Sequence, residues 1–178
     1  MDIKKLEHTY VSEVATLLIE HLPFEEENEQ TILQAGGIQL IALVDDKVVG
    51  YIAGYEIQQV TKEFPHFHEE LAPLLKTLQT PKSYYTSHLV VHPDARGMGI
   101  GKALVNTYMD AVKLCANALV VVGWVKSDTN SWEAEKLFAA HQFPHKLYLK
   151  NYFEPYDVYC PNCAGRCICD AHIFYKML

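Results

Sequence analysis

The chain has 178 residues, 15 Lys+Arg against 22 Asp+Glu for a formal net charge of −7, and is 49% hydrophobic. That length and apolar content suit one ordinary folded domain and exclude both extended disorder and two full cores. The acids concentrate before residue 80 and no Lys/Arg stripe is present, which excludes nucleic acid as the main partner and leaves room for a cationic ligand on one face and an anionic one on another.

Ile3 to Glu7 reads as a short strand, and its charges stand where a secretory signal would be apolar. Val14, Leu17, Leu18 and His21 recur at helical spacing over residues 11–21, with Pro23 as the stop. The run Glu25-Glu26-Glu27 reads as a solvated face, and a second helix is expected from Glu25 to Ala35, ending at Gly36-Gly37. Strands over 38–44 and 48–57 flank the turn Asp45-Asp46-Lys47 and predict an antiparallel hairpin. Residues 60–81, with three prolines and a helical patch from Leu71 to Leu78, predict a mobile excursion.

Ser83 to Val91 predicts a strand closed by His92-Pro93-Asp94. Ile100, Leu104, Tyr108, Ala111 and Cys115 then form the stripe of a helix packed on a sheet. Ala118 to Val125 is nearly continuous and apolar, as in a strand buried on both faces, and its longest uninterrupted run, 118–122, is far short of the ~20 residues of a membrane span. A helix over 131–141 and strands over 143–149 and 171–178 complete a mixed α/β order without internal repeats. These features predict a cytoplasmic protein with no membrane partner.

Arg96-Gly97-Met98-Gly99-Ile100-Gly101-Lys102 lies between a strand and a helix. Chain without Cβ atoms can bring several N–H groups close to a ligand, and the helix that follows adds the positive end of its dipole. Arg96, one of two arginines in the chain, and Lys102 can both pair with phosphate oxygens. Spacing eliminates two phosphate sites. A Walker A loop needs Gly at 96 and Ser or Thr at 103, where the chain has Arg96 and Ala103. A dinucleotide fingerprint needs Gly at 102 and an acid near the end of the next strand, where Gly123-Trp124-Val125 stands. A tight turn alone would also use glycine; three of them beside Arg96 and Lys102 favour an anion seat.

The segment Leu89-Val90-Val91-His92-Pro93-Asp94-Ala95-Arg96-Gly97-Met98-Gly99-Ile100-Gly101 resembles motif A of the GNAT acetyltransferase superfamily, with its Arg/Gln-x-x-Gly-x-Gly/Ala pattern at Arg96, Gly99 and Gly101. The order of elements resembles that fold over about residues 1–150. The resemblance implies an acyl-CoA N-acyltransferase fold, a central twisted mixed α/β sheet flanked by helices; the chain reads as a single domain over 1–178, with a cysteine-rich loop at 160–169, outside the resemblance, before the last strand. It also implies acetyl-CoA as cosubstrate. The pyrophosphate would lie on the segment Arg96, Gly97, Met98, Gly99, Ile100, Gly101 and Lys102, and pantetheine would pair with the backbone of Leu89 and Val91.

The implied chemistry is direct acetyl transfer to an amine of a small molecule or peptide, helped by positioning and by a backbone N–H near the end of the 89–91 strand. The amine must be neutral to attack, and Glu56 and His88 are the candidate bases. Asn130 reads either as the N-cap of Asn130-Ser131-Trp132-Glu133 or, as the resemblance implies, as a cofactor contact. The family's Tyr-x-x-x-Gly-Phe appears as Phe138-Ala139-Ala140-His141-Gln142-Phe143, so the usual acid for the leaving thiolate is absent at 138. Tyr148 or a water replaces it, or no acid is needed, or the protein binds acetyl-CoA without turnover. The sequence does not fix the oligomeric state, a homodimer included.

Cys160, Cys163, Cys167 and Cys169 form a Cys-x2-Cys-x3-Cys-x-Cys cluster around a Pro161-Asn162 turn, while Cys115 belongs to the helix stripe. In a reducing compartment four such thiols suit a metal, zinc first, over two disulfides; free or oxidised thiols are the alternative. His172 offers a substitute ligand, and the His66-x-His68 pair reads as loop histidines. Tyr152, Glu154, Tyr156, Asp157 and Tyr159 suit either a cationic acceptor or ordinary surface packing. A third reading makes the stapled loop an interaction surface.

Overall fold

Period-two apolar runs become strands, and the four-and-three stripe becomes a helix, in the computed structural model, which describes residues 1–178 apart from 23–27, 81, 127–128 and 161. The Pro23 stop, the Glu25 helix start, the Glu25–Glu27 run, the last residue of the 60–81 excursion and Pro161 of the cysteine turn lie outside the described residues. The architecture is mixed α/β, with strands in the order β1-β2-β3-β4-β5-β9-β6 and a separate β7-β8 pair. It divides into two compact units, residues 1–55 with 86–111 and residues 56–85 with 112–178. Each unit is discontinuous in sequence.

In the first unit β1 (Asp2–Lys5), β2 (Ile38–Val44) and β3 (Lys47–Glu56) form an antiparallel meander. Asp45 and Asp46 both adopt positive φ, 49° and 60°, the twist that a two-residue hairpin turn requires. α1 (Val11–His21) and α2 (Glu29–Gln34) lay Val14, Leu17, Leu18 and Ile32 on Ile41, Leu43, Tyr51 and Val90. Asn28 caps α2: its Oδ1 accepts from Gln30 and Thr31 N–H at 2.9 and 3.1 Å. β4 (Ser83–Val91) begins in the second unit and ends in the first, where His92 N–H donates to Val49 O at 2.9 Å. α5 (Ile100–Lys113) follows and buries Ile100, Leu104, Tyr108 and Val112. Cys115, expected on this stripe, lies past the helix end and is half-buried.

In the second unit β9 (Asp170–Met177) lies between β5 (Ala118–Val125) and β6 (His145–Leu149), antiparallel to both. A strand covered on both faces buries residues of both parities, as Ala171, Ile173, Phe174 and Tyr175 do. Ile173 and Tyr175 pack with Phe64, Leu71, Leu74 and Leu78. The last four come from the 60–81 stretch, which is therefore a packed part of the core carrying α3 (Val60–Glu63) and α4 (Ala72–Leu78), not a loose excursion. Phe174 meets Trp132 and Phe143 at ring distances of 5.2 and 5.8 Å.

The helix expected over 131–141 shortens to α6 (Glu135–Ala139), with Ala134 as its N-cap. The preceding residues close a turn instead. Lys126 pairs with Ser131, Asn130 N–H donates to Lys126 O at 2.8 Å, and Lys126 Nζ meets Glu133 Oε1 at 2.7 Å. Asn130 is left-handed at φ 47°, so the N-cap reading of it is corrected. β7 (Tyr159–Cys160) and β8 (Gly165–Arg166) form a small hairpin inside the cysteine segment that alternation over two residues could not announce.

Candidate active site

β4 delivers the chain to the glycine turn. Val90 packs into the core of the first unit, whereas Leu89 and Val91, of opposite parity, are half-buried. A 3-10 turn over Pro93–Ala95 follows, and Arg96 turns its Nε back to Val91 O at 3.4 Å, tying the guanidinium to the strand end. Gly97 and Gly99 then take φ of 77° and 80°, a left-handed conformation that side-chain-bearing residues rarely adopt. The first helical bond of α5 runs from Ala103 N–H to Gly99 O at 3.0 Å. The amides just before Ala103 therefore have no intrahelical acceptor, as at any helix start.

A Cβ placed at Gly97 or Gly99 would meet nothing within 4 Å. The turn is thus open on the side where a side chain would project, and Met98 on it is exposed. Arg96, Gly97, Met98 and Gly99 are exposed, Ile100 is anchored in the core, and Lys102 is exposed in the first helical turn. Open glycines, unshared helix amides and two cations fit a diphosphate, so the residues present suit the phosphate end of acetyl-CoA.

His88 is half-buried on β4, with Nδ1 3.0 Å from Ser87 Oγ and its ring 6.2 Å from that of Tyr51. It lines a small depression with Leu18, Gly54, Tyr55 and Ser87. Tyr51, Ala53 and Tyr55 share one face of β3 by alternation, a signal that could have located this depression from the sequence. Tyr51 is held by its hydroxyl, which donates to Gln39 Oε1 at 2.8 Å. Glu56 is exposed at the end of β3 and is not among the residues lining the depression. Its charge instead acts on Tyr84, whose hydroxyl is raised above the ordinary tyrosine value by burial, then by Cys115, and least by Glu56.

Tyr148, on β6, donates its hydroxyl proton to Asp170 Oδ2, and that hydrogen bond raises it above the ordinary tyrosine value. Asp170 also accepts from Asn151 N–H at 2.7 Å. Phe138, the departure from the family pattern, is 1% exposed and stacked on Trp132 at 5.7 Å. Gly123 makes room for that stack: a Cβ there would fall 2.1 Å from the Trp132 ring. Residue 138 is therefore a core position in this chain and has no proton to give.

The four clustered cysteine sulfurs all lie within 4.8 Å of one another, and none is in a disulfide. Burial pushes the Cys167 thiol up to about 12 and raises that of Cys160. His172 is not part of the group. Its Nδ1 lies 3.4 Å from Glu135 Oε1, and its ring stacks on Phe174. His66 and His68 also part company, the first against the Tyr156 ring and the second beside Phe64 O at 3.2 Å. Tyr152 is 4% exposed and its ring stacks with Phe67 at 5.4 Å, while Tyr156 donates to its hydroxyl at 3.1 Å. Tyr152 is thus core and not part of an open cage for a cation.

A strand feeding a glycine turn that feeds a helix, set in a mixed α/β sheet, is an arrangement suited to an anionic ligand. The family model for the acetyltransferase (GNAT) family matches residues 6–150, and the chain belongs to that family of N-acetyltransferases. No curated protein matches the chain by sequence. Its fold is similar to that of a ribosomal-protein-alanine N-acetyltransferase from Brucella melitensis, at 16% identity and a TM-score of 0.67 over 100% of both chains. It is also similar to an N-acetyltransferase from Staphylococcus aureus, at 13% identity and a TM-score of 0.67, covering 99% of this chain and 97% of that one. An aminoglycoside 6'-N-acetyltransferase from Enterococcus faecium has 15% identity and a TM-score of 0.65, with 99% and 97% covered.

Proposed function

We propose that the protein is an acetyl-CoA-dependent N-acetyltransferase that acetylates an amine of a small molecule or an exposed amino group of a peptide. The observation that carries this reading is the left-handed, open Gly97 and Gly99 pair between Arg96 and the head of α5. Acetyl-CoA supplies the activated acetyl thioester. The amides from Gly97 to Lys102 and the Arg96 guanidinium hold its phosphates, the backbone of Leu89 and Val91 aligns its pantetheine arm, and Asn130 makes a further contact.

His88 takes the proton of the incoming amine, with Ser87 Oγ fixing its Nδ1 side. Glu56, exposed at the end of β3, is the alternative base to His88, and Tyr148 or a water supplies the proton to the leaving thiolate. The similar structures include an N-acetyltransferase of a ribosomal-protein alanine and one of an aminoglycoside, which supports an amine acceptor. The chain acts as one GNAT-like domain over 1–178, in the cytoplasm. Support for that location is that none of the five cysteines is paired in a disulfide and that, among the described residues, no helix is long and apolar enough to cross a membrane.

The test is release of CoA from acetyl-CoA in the presence of a panel of primary amines and N-terminal peptides. Acceptor-dependent release that falls in His88→Ala supports the enzyme and the base. The buried Phe138 favours a second reading, a module that binds acetyl-CoA without turnover. Saturable acetyl-CoA binding with no acceptor-dependent release across the panel would decide for it.

A further inference from the structure

We propose that Cys160, Cys163, Cys167 and Cys169 form a closed, structural tetrathiolate zinc site that pins the segment before β9. Four thiolates at tetrahedral corners about 2.3 Å from zinc lie about 3.8 Å from one another. Here Cys163 Sγ and Cys160 Sγ lie 3.6 and 4.0 Å from Cys169 Sγ, and all four sulfurs fall within 4.8 Å. A pair of disulfides would instead draw two sulfurs together at about 2.0 Å and set the pairs apart.

The local chain explains each ligand. The β7-β8 hairpin pairs Cys160 with Gly165, Ala164 just before Gly165 is left-handed, and Cys163 Sγ lies by Cys169 Sγ. The unusual Cys-x-Cys spacing follows from extended chain, where residues two apart point to one side. Cys167 and Cys169 accordingly turn inward, while Ile168 between them is 50% exposed.

Four protein ligands leave no open position, so the ion would be structural and take no part in acetyl transfer. It would hold a segment already tied to its surroundings. Cys167 N–H donates to Val158 O at 2.9 Å, Phe153 N–H to Cys169 O at 3.3 Å, and Arg166 Nη2 to Glu154 O at 2.8 Å. Through Phe153 the site connects to the Tyr152 and Tyr156 rings.

The test is elemental analysis of the full chain purified in reducing buffer without chelator. About one zinc per chain is expected, retained in Cys115→Ser and lost in the Cys160→Ser, Cys163→Ser double variant. Stoichiometric iron with visible absorption would overturn the assignment to zinc. A metal-free protein whose four clustered thiols all alkylate, or whose mass shows disulfides, would overturn the site. Should the double variant fail to fold, differential alkylation of the wild-type chain decides. Protection of the four clustered cysteines that a chelator removes supports the site, and alkylation indifferent to the chelator refutes it. Neither readout involves acetyl-CoA, so the outcome is independent of the proposed activity.

Discussion

Between Arg96 and Gly101 the chain exposes its backbone and keeps side chains out of the way, whereas between Cys160 and Cys169 it turns side chains inward against one another. The glycine turn leaves space where a Cβ would go and supports little of the core; only Ile100 at its far end is buried. The cysteine segment has three of its four thiols buried and is tied by the Phe153 N–H to Cys169 O bond to a residue whose ring adjoins those of Tyr152 and Tyr156. A backbone cradle of this kind can be altered at small cost to the fold, so damage to it should be read in ligand binding. A side-chain cluster is part of the packing, so damage near it should be read in stability.

The sharpest way to break that contrast is to truncate one of these rings. Tyr152→Ala removes a nearly fully buried ring and should cost about 3–5 kcal/mol in denaturant unfolding, as other buried aromatic truncations do. Acetyl-CoA affinity of the protein that remains folded should not change. A variant as stable as the wild type would show that the rings do not support this segment.

On the other side, Gly99→Asp places bulk and negative charge in the phosphate seat and should weaken acetyl-CoA binding by about 100-fold, equivalent to about 2.7 kcal/mol. Part of any effect comes from backbone strain at φ 80°, roughly 1 kcal/mol. Gly99→Asn carries the same shape and strain without the charge, so calorimetric titration of both separates the two. Equal losses would remove the electrostatic part of the argument. Arg96→Ala should weaken binding less, by about 10-fold, the worth of one charge-assisted hydrogen bond.

The smallest effect concerns pH. Burial first, then the bond to Tyr156, raises the Tyr152 hydroxyl far above its ordinary value of 10.0. A raised folded-state value contributes stability that is fully present below the unfolded value and is lost as pH climbs through the folded one. Stability of the wild type should therefore start to decline as pH passes 10, and the slope should be shallower in Tyr152→Phe. Parallel unfolding curves for the two proteins on the alkaline side would contradict this.

Much of the fold was legible because burial imposes periods. The α1 bounds, the β2-β3 hairpin and the near-continuous apolar run of β5 each emerged where alternation or helical spacing predicted them. The glycine turn was legible through its motif. Three features were not, for physical reasons. The 60–81 stretch looked loose because its prolines and charges hide four buried residues, Phe64 just past α3, Leu71 just before α4, and Leu74 and Leu78 within α4. Asn130 looked like a cap because its side-chain chemistry is the same in a cap and in a left-handed turn, and only the Lys126–Ser131 closure distinguishes them. The tyrosines before the cysteines suited a cationic acceptor or ordinary packing alike because sequence gives an aromatic ring no direction, and here Tyr152 points into the core.

The central claim is that the main chain from Gly97 to Lys102 grips the phosphates of acetyl-CoA. Residue-resolved amide hydrogen exchange, with and without saturating acetyl-CoA, tests it most directly. The account predicts that the amides of this turn, fast in the free protein, become protected when acetyl-CoA is bound. Acetyl-CoA binding that leaves exchange at those amides unchanged would contradict it.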